Sequence, residues 1–268
     1  MSNHPNSPIP LPSPPPSDGG SYAESDYSER SVQPRYTPQE LGALFLDFYK
    51  FLTTLHYNES DLKIPPATGW PQITRESSKF ANFKSDYTLE VLRHLPYFNE
   101  GDPITWFHYK SRLEDYTEIE SSRLEFFQSL DADTPLAGKE SGSTYYLLVK
   151  ECLIVEELGG GCGQGPPVAV EDFFERLREL YRTLNLIPGR NRETIEAWHI
   201  PEIDRRITEE EVHAQTEEWG TELDIQYIRQ VYRDHGWPLT LHWEEASGVI
   251  DKWQNEVEEG PRESAWYD

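Results

Sequence analysis

The stretch that decides the fold spans residues 220–253 and reads GTELDIQYIRQVYRDHGWPLTLHWEEASGVIDKW. Thr221, followed three residues later by Asp224, is typical of a helix start, because the threonine side chain caps a free backbone N–H. Gly236 stands where a helix commonly ends in a left-handed residue, and Trp237-Pro238 turns the chain. The pattern predicts a helical hairpin over residues 221–258 that is rich in tryptophan and in acidic side chains.

Two helices are predicted nearer the N-terminus. Thr37-Pro38-Gln39-Glu40 is a capping box with proline at the first helical position. Apolar residues then recur at helical spacing: Leu41, Leu44, Phe45, Phe48, Leu52 and Leu55. A second, shorter helix is expected around residues 85–95 and ends before Pro96. The apolar stripe of the first helix is expected to face the core.

The middle of the chain predicts strands. Residues 104–110, ITWFHYK, are rich in the β-branched and aromatic side chains that strands favour. Tyr145–Val149 and Leu153–Glu157 form a second strand region, which is either one bent strand or two. Glu118–Leu130 fits a strand or a helix equally well. We interpret the glycine-rich run at residues 159–167 as a flexible connection, because its prolines break the phosphate-binding patterns.

Two more helices are expected between the glycine-rich run and the hairpin. One covers residues 171–186 and is closed by Pro188-Gly189. The other begins at a second capping box, Thr208–Glu211, and continues to about Trp219. Together these elements predict an α+β fold, in which a small, mostly antiparallel sheet packs with several helices and the C-terminal portion is helical.

We expect one α+β domain over residues 36–258, with a separate small helical domain after residue 190 as the structural alternative. Residues 1–35 are rich in proline and serine and are expected to form a disordered tail. Residues 259–268 are expected to form a flexible acidic tail. The proline spacing in the N-terminal tail matches ligands of polyproline-binding grooves, and composition alone also produces it.

The charge excludes two classes of partner. The net charge is −24, and residues 202–268 carry half of it, with 6 basic and 18 acidic residues. Such a chain repels phosphate backbones and anionic lipid headgroups, so we expect it to bind neither nucleic acid nor membranes. Two cysteines, with no long apolar run, indicate a cytoplasmic or nuclear protein.

No catalytic, cofactor or metal motif was found in the sequence, so no catalytic residue, cofactor or metal ligand is assigned. We therefore expect a non-enzymatic, soluble protein-interaction or regulatory domain. Its partner would bind the acidic C-terminal face, with Trp237 and Trp266 as candidate contacts, or the proline-rich N-terminus. The alternative is a small-molecule-binding protein or an atypical enzyme, with a cleft near the first strand. That cleft would be lined by His94, Trp106, His108 and Tyr109.

Four segments carry a resemblance to known proteins: Phe51–Leu55 (FLTTL), Leu92–Tyr97 (LRHLPY), Tyr181–Leu184 (YRTL) and Tyr232–Pro238 (YRDHGWP). In these four segments, the chain resembles an uncharacterised family of intracellular proteins from filamentous fungi. Its layout of N-terminal helix, strands and Phe-rich helix is also similar to the superfamily of yeast cell-wall-assembly regulators and bacterial toxin-immunity proteins. The chain lacks that superfamily's early Leu-Pro helix start and Asn-Gly turn. Neither resemblance implies catalytic residues.

Overall fold

The computed structural model describes residues 33–78, 80–99, 106–108, 111–118, 132–133, 136–139, 144–158, 163–189 and 194–258. They confirm the α+β fold class. The α-helices in this part of the chain are α1 (Pro38–Thr53), α2 (Asp86–His94), α3 (Val170–Arg182), α4 (Glu209–His213), α5 (Glu222–Asp234) and α6 (Trp243–Glu258). Two short 3₁₀ helices, Glu59–Asp61 and Ala81–Phe83, lie between α1 and α2.

The strands are short and pair antiparallel. They are β1 (Leu62–Lys63), β2 (Tyr97–Phe98), β3 (Trp106–His108), β4 (Ser111–Leu113), β5 (Leu136–Lys139), β6 (Thr144–Leu148), β7 (Leu153–Leu158), β8 (Gly163–Gln164), β9 (Val168–Ala169), β10 (Leu186–Pro188) and β11 (Thr194–Glu196). In the largest sheet the order is β3-β4-β5-β6-β7-β8, and β9 also pairs with β7. β1 pairs with β2, and β10 pairs with β11.

The second predicted strand region consists of two strands. β6 and β7 pair from Thr144 opposite Glu157 to Leu148 opposite Leu153. Of the strand predicted at residues 104–110, the described part is Trp106–His108, which is a strand. The ambiguous segment that starts at Glu118 lies outside the described residues from residue 119 onward.

The first helix starts and packs as its sequence predicts. The Thr37 side chain accepts a hydrogen bond from the Glu40 backbone N–H, and the Glu40 carboxylate accepts one from the Thr37 backbone N–H. The buried stripe of α1 lies against α3, where Phe48 and Phe174 stack with ring centroids 4.5 Å apart. Against α2, a Cβ on Gly42 would lie only 2.2 Å from the His94 carbonyl oxygen. The missing side chain at Gly42 therefore allows this close approach.

The predicted ends of α3 and α4 were wrong. α3 ends at Arg182 rather than at residue 186, and Leu184 then adopts a left-handed backbone with φ of 55°. Leu186 and Ile187 are almost fully buried in β10, so strand pairing and burial outweigh their helical pattern. α4 ends at His213 rather than near Trp219.

The segment after α4 is held by Asp224 instead of continuing as a helix. The Asp224 carboxylate accepts hydrogen bonds from the Gln215 side-chain amide at 2.8 Å and from the Gly220 backbone N–H at 2.9 Å. Asp224 is fully buried at the start of α5. The buried carboxylate needs these hydrogen bonds. A helix that continued to residue 219 would not provide them.

The C-terminal hairpin forms as predicted. The Thr221 side chain accepts from the Asp224 N–H at the start of α5, and Gly236 has a φ of 94° just beyond its end. α6 follows, and its Trp253 is 1% exposed. The Trp253 ring lies edge-on to Trp219 and Tyr227, with centroids 4.4 Å and 4.8 Å away. The hairpin therefore buries large aromatic side chains within its own interface.

The two predicted tails fall mostly outside the described residues. Residues 1–32 and 259–268 are not described, whereas residues 33–35 are. The Arg35 side chain forms an ion pair with Glu171 at 2.5 Å. The Arg35 backbone N–H donates a hydrogen bond to the Lys150 carbonyl oxygen at 3.4 Å. Contacts with the rest of the fold therefore begin by Arg35, just before the predicted helix start.

Candidate functional site

A groove with a volume of about 530 Å³ runs beside the C-terminal hairpin. Its walls are the loop after α1, the β10–β11 pair, α5 and α6. The side chains that matter for its chemistry are His56, Tyr232, Trp243, Asp251 and Gln254. This volume is in the range of small-molecule binding sites, which is about 300–1,000 Å³.

Helix geometry explains why these residues meet. The groove residues of α6 recur at spacings of three and four and so share one helix face: Trp243, Ser247, Ile250, Asp251 and Gln254. The same spacing places Ile228 and Tyr232 together on α5. The Tyr232 and Trp243 rings stack with centroids 6.1 Å apart, and the His56 ring meets Trp243 edge-on at 5.9 Å. These three rings form an aromatic wall, and the groove is also lined by the polar residues Asp251 and Gln254.

Tyr232 is a fixed, neutral part of this wall. Its hydroxyl donates a hydrogen bond to the Pro188 carbonyl oxygen, which ties α5 to β10. Burial, with a smaller effect from Asp251, raises the pKa of Tyr232 well above its usual value. Tyr232 therefore keeps its proton near neutral pH and does not act as a base there.

Gln254 is the unusual residue of the groove. Its side chain lines the groove while the residue is only 4% exposed. No donor in the described part of the chain forms a hydrogen bond with its Oε1 atom. A buried amide oxygen without a donor costs about 1–3 kcal/mol of folding free energy, so this atom lowers the stability of the fold.

Several glutamates lie beside the groove. An adjoining concavity of about 500 Å³ shares His56 and Trp243 with the groove. It is also lined by three glutamates, Glu59, Glu244 and Glu245. No lysine or arginine is among the described residues that line either concavity.

The tryptophans divide between the core and the surface. Trp237 is 7% exposed, and its indole N–H donates to the Arg182 carbonyl oxygen at 2.9 Å. Nearly all of the Trp237 ring is thus engaged in packing. Trp266 lies outside the described residues. By contrast, Trp198, which sequence reasoning did not select, is 65% exposed.

Trp198 lies in a turn that a buried arginine holds in place. The Arg229 guanidinium donates to the carbonyl oxygens of Ala197 at 2.8 Å and Ile200 at 2.9 Å. It also donates to the Leu184 carbonyl oxygen at 3.1 Å. The Ile200 N–H closes the turn on the Ala197 carbonyl oxygen at 3.0 Å. Both ends of the turn that carries Trp198 are therefore fixed.

Arg229 is itself fully buried, and burial lowers its pKa below the usual value of an arginine. It remains a cation at neutral pH because an arginine side chain is not deprotonated in this range. Four oxygens, three of them backbone carbonyls, accept its hydrogen bonds. In the sequence, Arg229 has the appearance of an ordinary charged helix residue, so no local signal marks this role.

The cleft predicted near the first strand is only partly described. His94 is 8% exposed, and its Nδ1 lies 2.8 Å from the Glu90 carbonyl oxygen. Since a carbonyl accepts, Nδ1 carries the proton, and Nε2 accepts from the Gln39 amide at 3.1 Å. Both ring nitrogens are therefore engaged.

The remaining residues of that cleft give less detail. Trp106 and His108 form the ends of β3, and only their backbone is described, whereas Tyr109 lies outside the described residues. His94 lines neither the groove nor its adjoining concavity. A cleft formed by these four residues stays a prediction.

Two features are absent from the residues that the structure describes. No three histidine, cysteine, aspartate or glutamate side chains among them gather as metal ligands would. None of the helices described is both long enough and apolar enough to cross a bilayer. Comparisons with protein-family models, with curated proteins and with solved structures find no match.

Proposed function

We propose that the chain is a non-enzymatic protein-interaction domain of the cytoplasm or nucleus that binds a partner protein through a surface centred on Trp198. The observation that carries this proposal is the 65% exposure of the Trp198 side chain on a fixed turn. Tryptophan is the residue type most enriched in the energetic centres of protein interfaces.

The rigid presentation of Trp198 supports this function. Binding loses free energy when flexible segments become ordered, and the contacts of Arg229 have already ordered this turn. Ile203, 41% exposed, adds apolar surface on the same segment. Between them, Glu202 forms an ion pair with Arg233 of α5 at 2.5 Å. A partner would therefore meet a surface that needs little rearrangement.

The negative charge of the chain favours a basic partner protein and disfavours binding to a second copy of the same chain. Two molecules that each carry −24 repel one another, whereas a cationic surface is attracted. Glu196 lies beside the indole, with its Oε2 3.4 Å from the Trp198 Nε1. We infer a partner with an apolar pocket for the indole and lysine or arginine side chains around that pocket. The same charge argues against nucleic acid.

Affinity purification tests this function. The full chain, the variant Trp198→Ala and the variant Leu239→Ala serve as baits in cells that express the protein, with captured proteins quantified by mass spectrometry. Leu239 is the matched control, because it is 91% exposed and apolar but lies in the turn after α5. We expect at least one protein that the wild type and Leu239→Ala retain and Trp198→Ala loses. Identical captured sets for all three baits would contradict the proposal.

A further inference from the structure

We propose that the protein that binds at Trp198 supplies a lysine or arginine side chain to the carboxylate of Asp204. This inference rests on the proposed function and deepens it, because it names the residue that recognises the charge of the partner. Asp204 is exposed and lies on the same segment as Trp198 and Ile203. In the sequence it is one of 48 acidic residues, and only the pairing of its neighbours distinguishes it.

The other charges near Asp204 are already paired within the chain. Residues 201–206 are all exposed. Three of them form ion pairs with α4 or α5: Glu202 with Arg233 at 2.5 Å, Arg205 with Glu211 at 2.8 Å, and Arg206 with Asp234 at 2.6 Å. By contrast, no ion pair or hydrogen bond joins the Asp204 side chain to another residue that the structure describes. The negative charge of Asp204 is therefore available to a partner.

The backbone on either side of Asp204 is held by α5 before a partner binds. Before Asp204, the Arg229 guanidinium holds the turn that carries Trp198. After it, the Gln230 side chain donates to the Ile207 carbonyl oxygen at 3.0 Å and accepts from the Ile207 N–H at 2.8 Å. Neighbouring residues of one helix thus anchor both ends of the segment. Binding therefore loses little free energy in ordering this backbone.

Desolvation decides which group of the partner fits at Asp204. In the free chain, water solvates the exposed carboxylate. A partner that covers Ile203, which directly precedes Asp204 and is 41% exposed, also displaces water from that carboxylate. A carboxylate that loses its water is costly unless a cation pairs with it. Lysine and arginine supply the cation, and their apolar stems can cover Ile203.

Quantitative affinity purification with the full chain as bait tests this pairing. The baits are the wild type, Trp198→Ala, Asp204→Asn and Asp204→Glu, and Asp172→Asn is the matched control. Asp172 is an exposed aspartate in the first turn of α3, and it too forms no ion pair with a described residue. Captured proteins are quantified by mass spectrometry at about 0.05 M and about 0.5 M salt.

The loss of one carboxylate is expected to weaken capture of the protein that depends on Trp198. We expect a reduction of about fivefold for Asp204→Asn at the lower salt concentration, and less than about twofold for Asp172→Asn. Asp204→Glu keeps the charge and should restore most of the capture. The loss for Asp204→Asn should shrink at the higher salt concentration, because salt screens an ion pair.

Two further measurements separate recognition from folding and identify the cation. The melting temperature of Asp204→Asn should match that of the wild type, because the carboxylate makes no contact within the described fold. A carbodiimide couples a carboxylate to an amine that touches it. A coupled product that joins Asp204 to a lysine of the captured protein identifies lysine, and a loss with Asp204→Asn but without that product identifies arginine.

The possible failures of the inference and of the proposed function differ. If a captured protein depends on Trp198 but Asp204→Asn retains it as the wild type does, the inference is overturned and the proposed function stands. If Asp172→Asn reduces capture as much as Asp204→Asn, net charge rather than a specific pair attracts the partner, and the inference is again overturned. If no captured protein depends on Trp198, both are overturned.

Discussion

The Arg229 Nη2 atom donates a 2.8 Å hydrogen bond to the carbonyl oxygen of Ala197, the residue directly before Trp198. One contact thus joins a fully buried cation to the backbone that carries a largely exposed indole. The desolvation of the guanidinium is costly, and its hydrogen bonds to backbone and side-chain oxygens offset that cost. The arrangement couples the order of the Trp198 turn to the packing of α5.

Replacement of Arg229 is expected to destabilise the whole fold. Arg229→Met fills much of the same volume but removes the hydrogen bonds that the guanidinium donates to the carbonyls of Leu184, Ala197 and Ile200. We expect the free energy of unfolding to fall by about 3 kcal/mol or more. Urea denaturation followed by circular dichroism measures this change.

The control for Arg229→Met is Arg233→Met, one turn further along α5. The Arg233 side chain is 43% exposed and pairs with Glu202 on the surface, so its loss is expected to cost at most about 1 kcal/mol. Equal losses of unfolding free energy for the two variants would show that the buried hydrogen bonds of Arg229 stabilise the fold no more than the surface ion pair of Arg233 does.

Two glycines on helices are expected to respond in opposite directions to alanine. A Cβ at Gly42 would lie 2.2 Å from the His94 carbonyl oxygen, so Gly42→Ala must push α1 and α2 apart. We expect a loss of about 1–3 kcal/mol. At Gly248 on α6 no atom lies within 4 Å of the added Cβ, so Gly248→Ala should gain about 0.5–1 kcal/mol from helix propensity. Thermal unfolding of both variants checks the opposite signs, and destabilisation by both would refute this packing.

Asp133 is expected to make stability depend on pH. Burial alone would raise its pKa, but hydrogen bonds from Lys150 and Ser85 outweigh burial and lower the pKa below the usual 3.8. A lowered pKa in the folded state stabilises the fold above the unfolded value, and this contribution is lost as pH falls through the folded value. Asp133→Asn should therefore cost about 1–2 kcal/mol near pH 7.

Denaturation of both proteins from pH 7 to pH 2 tests the Asp133 account. The difference between wild type and Asp133→Asn should hold down to about pH 4 and then shrink as the solution becomes more acidic. Asp86→Asn is the control at the same end of α2, where the carboxylate is 95% exposed and its effect should be small. A difference that grows on acidification would contradict the account.

The sequence predicted helix starts better than helix ends. Thr37 and Thr208 form the predicted capping boxes and Thr221 caps α5 as predicted, because a cap depends on residues only three positions apart. The ends of α3 and α4 depend on distant partners instead. β11 pairs with the residues that would have extended α3, and Asp224 holds those after α4.

The candidate sites were harder to predict for the same reason. His56, Tyr232 and Gln254 meet only because three separate elements pack together, and no motif spans them. Nothing near Trp198 or Trp237 in the sequence distinguishes an exposed indole from a buried one. The difference comes from Arg229, which fixes the Trp198 turn from beneath, and from the Arg182 carbonyl, which binds the Trp237 indole.

Site-specific photo-crosslinking tests the partner surface most directly. The full chain keeps Trp198 and carries the photoreactive residue p-benzoylphenylalanine in place of Ile203, which is 41% exposed on the same segment, or, as the control, in place of Leu239, which is 91% exposed. After irradiation in cells that express the protein, we expect a cross-linked product with a second, basic protein from position 203 and not from position 239. The same products from both positions, or none from position 203, would contradict the account.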